Sequence, residues 1–197
     1  MIRLACKIPK KVTLACSGGK DSMAALAFLL KGKREVTVAH YNHGTCHGTD
    51  AEGFLRQFCI DKGLNFVSED CKSHPLPGES KEAFWRDRRY EFFKKLSSPI
   101  ITAHHLDDAV EWWIFSSLRG DPKLMPVKRD DPYVIRPFLT SSKDSLHRHL
   151  GDFLFVEDPS NKDTSFARNY IRHELGPMCL KVNPGLSKTV KKMYMRS

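Results

Sequence analysis

No apolar run in this chain approaches the ~20 residues that a membrane-spanning helix requires, which excludes an integral helical membrane protein. The opening Met1-Ile2-Arg3-Leu4-Ala5-Cys6-Lys7 is too short for a secretory signal. The six cysteines, at positions 6, 16, 46, 59, 71 and 179, form no Cys-x-x-Cys pair and no Cys/His group at zinc spacing, so neither a zinc module nor a paired-thiol centre is expected. Cys16 and Cys59 sit in apolar patterns and read as core thiols, and a reducing, cytoplasmic setting fits such cysteine usage best. Internal repeats and low-complexity segments are absent. Acidic side chains are in short supply: 23 Asp and Glu face 32 Lys and Arg, a net charge of +9. That excess favours an anionic partner, with RNA the leading candidate and a merely soluble basic surface the alternative.

What is present is a soluble composition, 41% hydrophobic and 28% charged, over 197 residues. This length allows one well-buried domain plus an extension, and the pattern divides the chain at residues 1–150 and 151–197. Val12 to Cys16 reads as a buried strand and Lys20 to Lys31 as a helix. Further strands are expected at Glu35–His40, Asn65–Glu69 and Pro99–Ala103, and helices at Thr49–Lys62, Ser80–Leu96 and His104–Leu118. Four strand–helix alternations predict an α/β, Rossmann-like parallel sheet with helices on both faces. Past Gly120 the pattern weakens: Val134–Phe138 as a fifth strand, Ser141–Leu150 and Thr164–Glu174 as helices, then a small helical extension ending in a basic tail.

Between the first strand and helix lies Ser17-Gly18-Gly19-Lys20-Asp21-Ser22. Two glycines permit a sharp bend that points backbone N–H groups into one concavity, and the following helix adds its positive end there. Ser17 and Ser22 offer hydroxyls, Lys20 a charge, and Asp21 a contact for Mg2+, so a phosphate group is the natural occupant. The usual triphosphatase loop is not met, because Asp21 follows Lys20 where Ser or Thr belongs. The loop instead resembles the pyrophosphate-binding loop of enzymes that cleave ATP between the α and β phosphates. Ligands in such sheets bind beyond the carboxyl ends of the strands, where His40–Gly44 and His104–Asp108 also fall.

At about 100° per residue, His104, Asp107, Asp108 and Glu111 share one helix face and Leu106, Ala109, Val110 and Trp113 the other. Three neighbouring carboxylates repel one another, so Mg2+, a basic side chain or a cationic substrate should offset them. A solvated helix face or a His/Asp metal site are the alternatives. Arg86 and Arg89 share a face suited to phosphate or nucleotide, and Arg168 and Arg172 stack on a later helix as a phosphate clamp or a structural turn.

Together these stretches resemble the tRNA(Ile)-lysidine synthetase family: SGGKDS (17–22), HYNHG (40–44), WRDRRY (85–90), TAHHLDDAVE (102–111), LRG (118–120), IRPFL (135–139), and EDPSN with RNYIR (157–161, 168–172). The resemblance implies a two-step reaction. ATP adenylates the C2 oxygen of the wobble cytidine in an isoleucine tRNA with a CAU anticodon, and free L-lysine then displaces AMP. It implies that Ser17, Gly18, Gly19, Lys20, Asp21, Ser22 and His43 hold ATP, with Mg2+ at Asp21. Arg86, His104, Asp107 and Asp108 would be catalytic, and Asp108 and Glu111 would bind lysine. Arg119, Arg168, Arg172, Lys188, Lys191 and Lys192 would contact tRNA.

Three departures from the family pattern stand out. Asp121-Pro122-Lys123-Leu124-Met125-Pro126 replaces a glycine-rich segment after Gly120, Thr45-Cys46 replaces Leu-Arg after Gly44, and Trp112 stands where threonine is common. By the resemblance, the 197 residues are expected to correspond to the catalytic core, without the C-terminal domains of longer members. A tRNA-thiolating enzyme with the same loop, or a catalytically silent tRNA binder, remain as alternative readings. Neutralising Lys188, Lys191 and Lys192 to Gln is expected to weaken tRNA binding and flatten its dependence on salt, measured as the slope of log affinity against log salt; an unchanged slope would refute a phosphate role for the tail.

Overall fold

The structure, a computed structural model, describes residues 2–97, 99–159 and 163–196. Ser160 and Asn161, the end of the EDPSN stretch, lie outside the described residues. The chain alternates strand and helix as β1 (Lys11–Ala15), α1 (Lys20–Lys31), β2 (Glu35–Asn42), α2 (Cys46–Lys62), β3 (Asn65–Asp70), α3 (Lys81–Lys94), β4 (Ile100–Ile101) and α4 (Leu106–Leu118). A short hairpin follows, β5 (Lys128–Arg129) and β6 (Val134–Ile135), then α5 (Lys143–His147), α6 (Ala167–Tyr170), a π-helical turn (Ile171–Leu175), α7 (Gly176–Val182) and α8 (Leu186–Arg196).

Among the described residues one sheet has the order β3-β2-β1-β4-β6-β5. All neighbours are parallel except β5 and β6. The sheet is therefore the expected Rossmann-like architecture with an antiparallel edge. Its order reverses between β1 and β4, the switch point at which such folds open a crevice beyond the strand ends.

Strand alternation divides the core between the two faces. Val12, Leu14, Val38 and Ile101 pack with Met23, Leu26 and Leu29 of α1 and Leu55 of α2. Ala39, Tyr41 and Ile100 face the other way, against Phe92 and Phe93 of α3. Cys16 and Cys59 both lie in the first cluster, and the six cysteines are unpaired thiols. No helix among the described residues is long and apolar enough to cross a membrane.

Several boundaries depart from the sequence expectation for local reasons. α2 begins at Cys46 rather than Thr49, because Thr45 accepts a hydrogen bond from the Gly48 N–H and so caps the helix earlier. The ladder of β6 holds only Val134 and Ile135 rather than continuing to Phe138. Arg136 then turns its amide to the Val127 carbonyl. The tail is a regular helix, α8, whose Leu186, Val190 and Tyr194 repeat every fourth residue and pack against α4. Tyr194 donates its hydroxyl to the Met125 carbonyl at 2.9 Å. Truncating the fully buried Val190 to Ala should cost roughly 2 kcal/mol, visible as a lower urea midpoint with an unchanged slope.

Candidate active site

The glycine loop leaves β1 at the switch point. Gly18 has φ +79°, and a Cβ there would come within 2.9 Å of Val156 Cγ2. Only glycine both adopts that backbone and admits the close approach. The Val156 N–H donates to the Gly18 carbonyl at 3.0 Å, so the extension is seated directly on the loop. Inside the bend, Ser22 Oγ donates to the Gly19 carbonyl at 2.8 Å and lies 3.3 Å from Ser17 Oγ. α2, α3 and α4 are capped at their N-termini by Thr45, Ser80 and His105. α1 starts at Gly19 without any side-chain cap, which leaves its first-turn N–H groups to meet an anion. Lys20 extends over the ring of Phe155, 5.5 Å from its centroid.

Asp21 connects the loop to the rest of the site. Its Oδ1 lies 2.5 Å from Nε2 of His147 on α5 and 3.6 Å from Nε2 of His105. Burial works to raise the Asp21 pKa, but His105, His147 and Lys143 outweigh it and hold the carboxyl well below its ordinary range. His105 is 2% exposed. It caps α4 reciprocally with Asp108: the Asp108 N–H donates to Nδ1 at 3.4 Å, and the His105 N–H donates to Asp108 Oδ2 at 2.9 Å. Burial lowers the His105 pKa, but Asp21, Asp108 and Asp107 raise it overall. One buried imidazole thus spans the loop aspartate and the acids of α4.

The shared acidic helix face is corrected by the structure. α4 starts at Leu106, so His104 stands before the helix, its Nδ1 2.8 Å from Thr102 Oγ1. Asp107 is exposed and accepts from the Lys143 N–H at 2.8 Å. Asp108 is buried and Glu111 nearly so. Their offsetting charge comes from the chain itself. Arg172 grips Glu111 with Nε at 2.8 Å and a terminal nitrogen at 3.0 Å, and also reaches Asp108 Oδ1 at 3.0 Å. Arg168 adds a bond to the same Oδ1 at 3.1 Å. Burial pushes Asp108 up, yet His105, His104 and Arg168 bring it below its usual value.

Arg168 and Arg172 are placed by α6 and the π-helical turn. That turn requires Gly176, where a Cβ would sit 2.8 Å from the Ile171 carbonyl oxygen. Asn169 secures the segment by donating to the Asp163 carbonyl at 2.9 Å.

His43, at the end of β2, has its ring 5.3 Å from that of Trp85 and 5.2 Å from that of Tyr41. Its Nδ1 is buried with no hydrogen-bond partner among the described residues. Burial and the nearby Arg89 lower its pKa to about 4. Burial likewise lowers His104 to about 3, Arg168, Arg136 and Arg89 adding to the effect while Asp108 opposes it. Arg86 is exposed, 3.5 Å from the neighbouring Asp87; Arg89, on the same helix face, is the arginine that turns inward. Arg119 ends α4 on the surface with its guanidinium 4.8 Å from the Phe115 ring. Lys188 and Lys192 are exposed on α8 and Lys191 is half-buried, none of them joined to the cluster around Asp108. Sequence reasoning missed His105 as the bridge and His147 altogether. His105 carried a signal in its position beside His104 and three residues before Asp108, whereas His147 carried none.

Asp21 suits Mg2+, a hard cation that takes one or two carboxylates together with phosphate oxygens and water. Among the described residues no group of three or more His, Cys, Asp or Glu is placed to hold a metal ion.

Residues 4–179 match the family model described as a PP-loop domain. The tRNA(Ile)-lysidine synthase of Lactiplantibacillus plantarum is 34% identical, the alignment covering 91% of this chain and 44% of the relative. That of Petrotoga mobilis is 34% identical over 88% of this chain and 61% of the relative. The chain thus spans about half the length of the curated relatives it matches. Among solved structures, the U34-tRNA thiolase NcsA from Methanococcus maripaludis superimposes with a TM-score of 0.72 at 18% identity, covering 96% of this chain and 73% of that one, a likeness of fold.

The two depressed histidines set an acid limit. Each has a folded pKa below its unfolded value of about 6.5, so the unfolded chain binds more protons below that pH. Their contribution is fully present above about pH 6.5 and is lost as pH falls towards about 4 for His43 and about 3 for His104. Between about pH 6.5 and 4.5, above the ordinary carboxylate range, the urea midpoint should fall, and a His43→Gln/His104→Gln variant should flatten that decline.

Proposed function

The chain belongs to the PP-loop family, and from that premise we propose that it is an ATP-dependent ligase of the tRNA(Ile)-lysidine synthase type. It would adenylate the C2 oxygen of the wobble cytidine in tRNA(Ile) with a CAU anticodon, then join free L-lysine with release of AMP. The supporting observation is the continuity from Asp21 through His105 to Asp108, which joins a phosphate-accepting loop to an acid pair in one crevice.

In this reading, Ser17, Gly18, Gly19, Lys20 and Ser22 cradle the β and γ phosphates at the uncapped start of α1. Mg2+ held by Asp21 would neutralise phosphate charge as pyrophosphate departs. His43 offers a stacking edge beside Trp85 for the adenine or the target base. His104, neutral at pH 7, contributes a hydrogen bond rather than a fixed charge, and Arg86 and Arg89 supply cationic groups for the transferring phosphoryl.

Free lysine carries an α-carboxylate as well as two amines. Asp108 and Glu111 suit the ammonium groups, and Arg168 and Arg172 suit the carboxylate. Before lysine arrives the four side chains neutralise one another, which keeps a buried charged site assembled. The exposed edge of Arg168, with Arg119 and the lysines of α8, lies open to tRNA phosphates.

A pyrophosphate- and AMP-release assay with tRNA(Ile) carrying the CAU anticodon, ATP and lysine tests the reaction. Lysine-dependent AMP release is expected; dependence on a sulfur donor would point to thiolation, and silence to a binding protein. Asp108→Asn should leave pyrophosphate release measurable while reducing lysine transfer by about 100-fold or more, on the order of 3 kcal/mol. Equal loss of both half-reactions would count against that division of roles.

A further inference from the structure

We propose that the groove between the outer face of α3 and the edge strand β5 is a track for RNA backbone leading away from the active site. The inference rests on the reading that a tRNA nucleotide enters that site. Arg86, Arg88, Lys94 and Arg129 line the groove around Tyr90, with Asp87 and Glu91 the acids among them. Glu91 is taken by Lys94 at 2.9 Å and Asp87 by Arg86 at 3.5 Å. Among the described residues, Arg88 and Arg129 form no ion pair with a carboxylate.

Each of these arginines lies over an aromatic ring. Arg88 lies 5.6 Å from the Phe84 ring centroid and Arg129 lies 4.4 Å from that of Tyr90. Arg129 also donates from Nε to the Asp131 carbonyl at 2.8 Å. A guanidinium resting on a ring is oriented in advance and keeps edge N–H groups for a phosphate. Tyr90 is fixed in turn, its hydroxyl accepting from Arg136 at 3.0 Å. Arg136 is buried, 6% exposed, and its other terminal nitrogen donates to the Pro126 carbonyl at 2.7 Å. The same guanidinium lowers the pKa of His104 in the active site, so groove and site share a structural member.

The direction of the groove is set by topology. α3 runs antiparallel to the strands it precedes, so Arg86 stands towards the strand ends that bear the site and Lys94 towards the far side. From Arg86 to Lys94 the helix rises ~12 Å, long enough for more than one backbone phosphate to lie along it. Two guanidiniums without a carboxylate partner among the described residues, Arg88 and Arg129, with Arg86 and Lys94 beside them in one groove, suit the phosphates of a nucleic-acid backbone.

The test titrates the full chain with an unmodified transcript of tRNA(Ile) carrying the CAU anticodon, between about 50 and 200 mM KCl. Arg88→Gln/Arg129→Gln should weaken binding roughly tenfold and reduce the salt slope by about 1.4, with ATP affinity and melting temperature unchanged. Lys7→Gln/Lys10→Gln removes equal charge at the opposite end of the strands and should have a much smaller effect. Arg88→Lys/Arg129→Lys keeps the charge without the ring-held guanidinium and should recover part of the affinity. Binding equal to the native chain, a loss no greater than the Lys7/Lys10 control, or no recovery by the lysine variant overturns the proposal. Loss confined to phosphatidylserine vesicles, with RNA binding intact, also overturns it. If the groove variant loses RNA while the native chain makes no lysidine, the track stands and the proposed reaction falls.

Discussion

A carboxylate as deeply buried as Asp108 persists in its charged form only where the surrounding groups repay the loss of water. Here three donors do so on its two oxygens: the His105 backbone N–H on one, Arg168 and Arg172 on the other. Those bonds tie the first turn of α4 to a segment some sixty residues later, and the cap on His105 faces the imidazole towards Asp21. Glycine loop, acid pair and C-terminal strap are therefore parts of a single electrostatic assembly. Removing one partner leaves a buried charge uncompensated, so its members act together rather than additively.

The scaffold explains why that assembly can be charged and still be placed with accuracy. Sheet and helices bury their apolar surfaces in three separate clusters, and the polar residues of the site gather beyond the ends of β1 and β4. The extension is part of this construction. α8 packs Leu186, Val190 and Tyr194 onto α4, supporting from behind the helix whose first turn carries the acids. The π-helical turn then presents Arg172 at the correct angle, a use of irregular helix that often accompanies function.

Much of the fold was legible because it rests on local pattern. The apolar run Val12–Cys16 followed by glycines and an Ala/Leu-rich helix states strand, bend and helix within twenty residues. Motif spacing likewise marked the loop and the Asp107–Glu111 stretch as neighbours at the strand ends. What escaped was non-local or lacked periodicity. A helical wheel assigns His104 to the acidic face only if the helix has begun, and the His105 cap delays it by two residues. β5 consists of two exposed basic residues, with no apolar residue of its own to betray a strand. α8 did carry a readable four-residue spacing, obscured by its lysines. The pairing of Arg168 and Arg172 with Asp108 and Glu111, and of His147 with Asp21, joins residues far apart in sequence, and no local pattern encodes such contacts.

The bond from Val156 to Gly18 carries a consequence for the order in which the protein is made. The bend after β1 leaves the ribosome early, but the residue seated on it belongs to the last quarter of the chain. Closing so long a loop adds little entropy beyond that of a shorter one, so the delay is one of timing rather than of energy. A nascent chain halted before that point would hold the glycine bend without its cover, and a finished nucleotide cradle would exist only in molecules that had also synthesised the segment leading to the arginine strap.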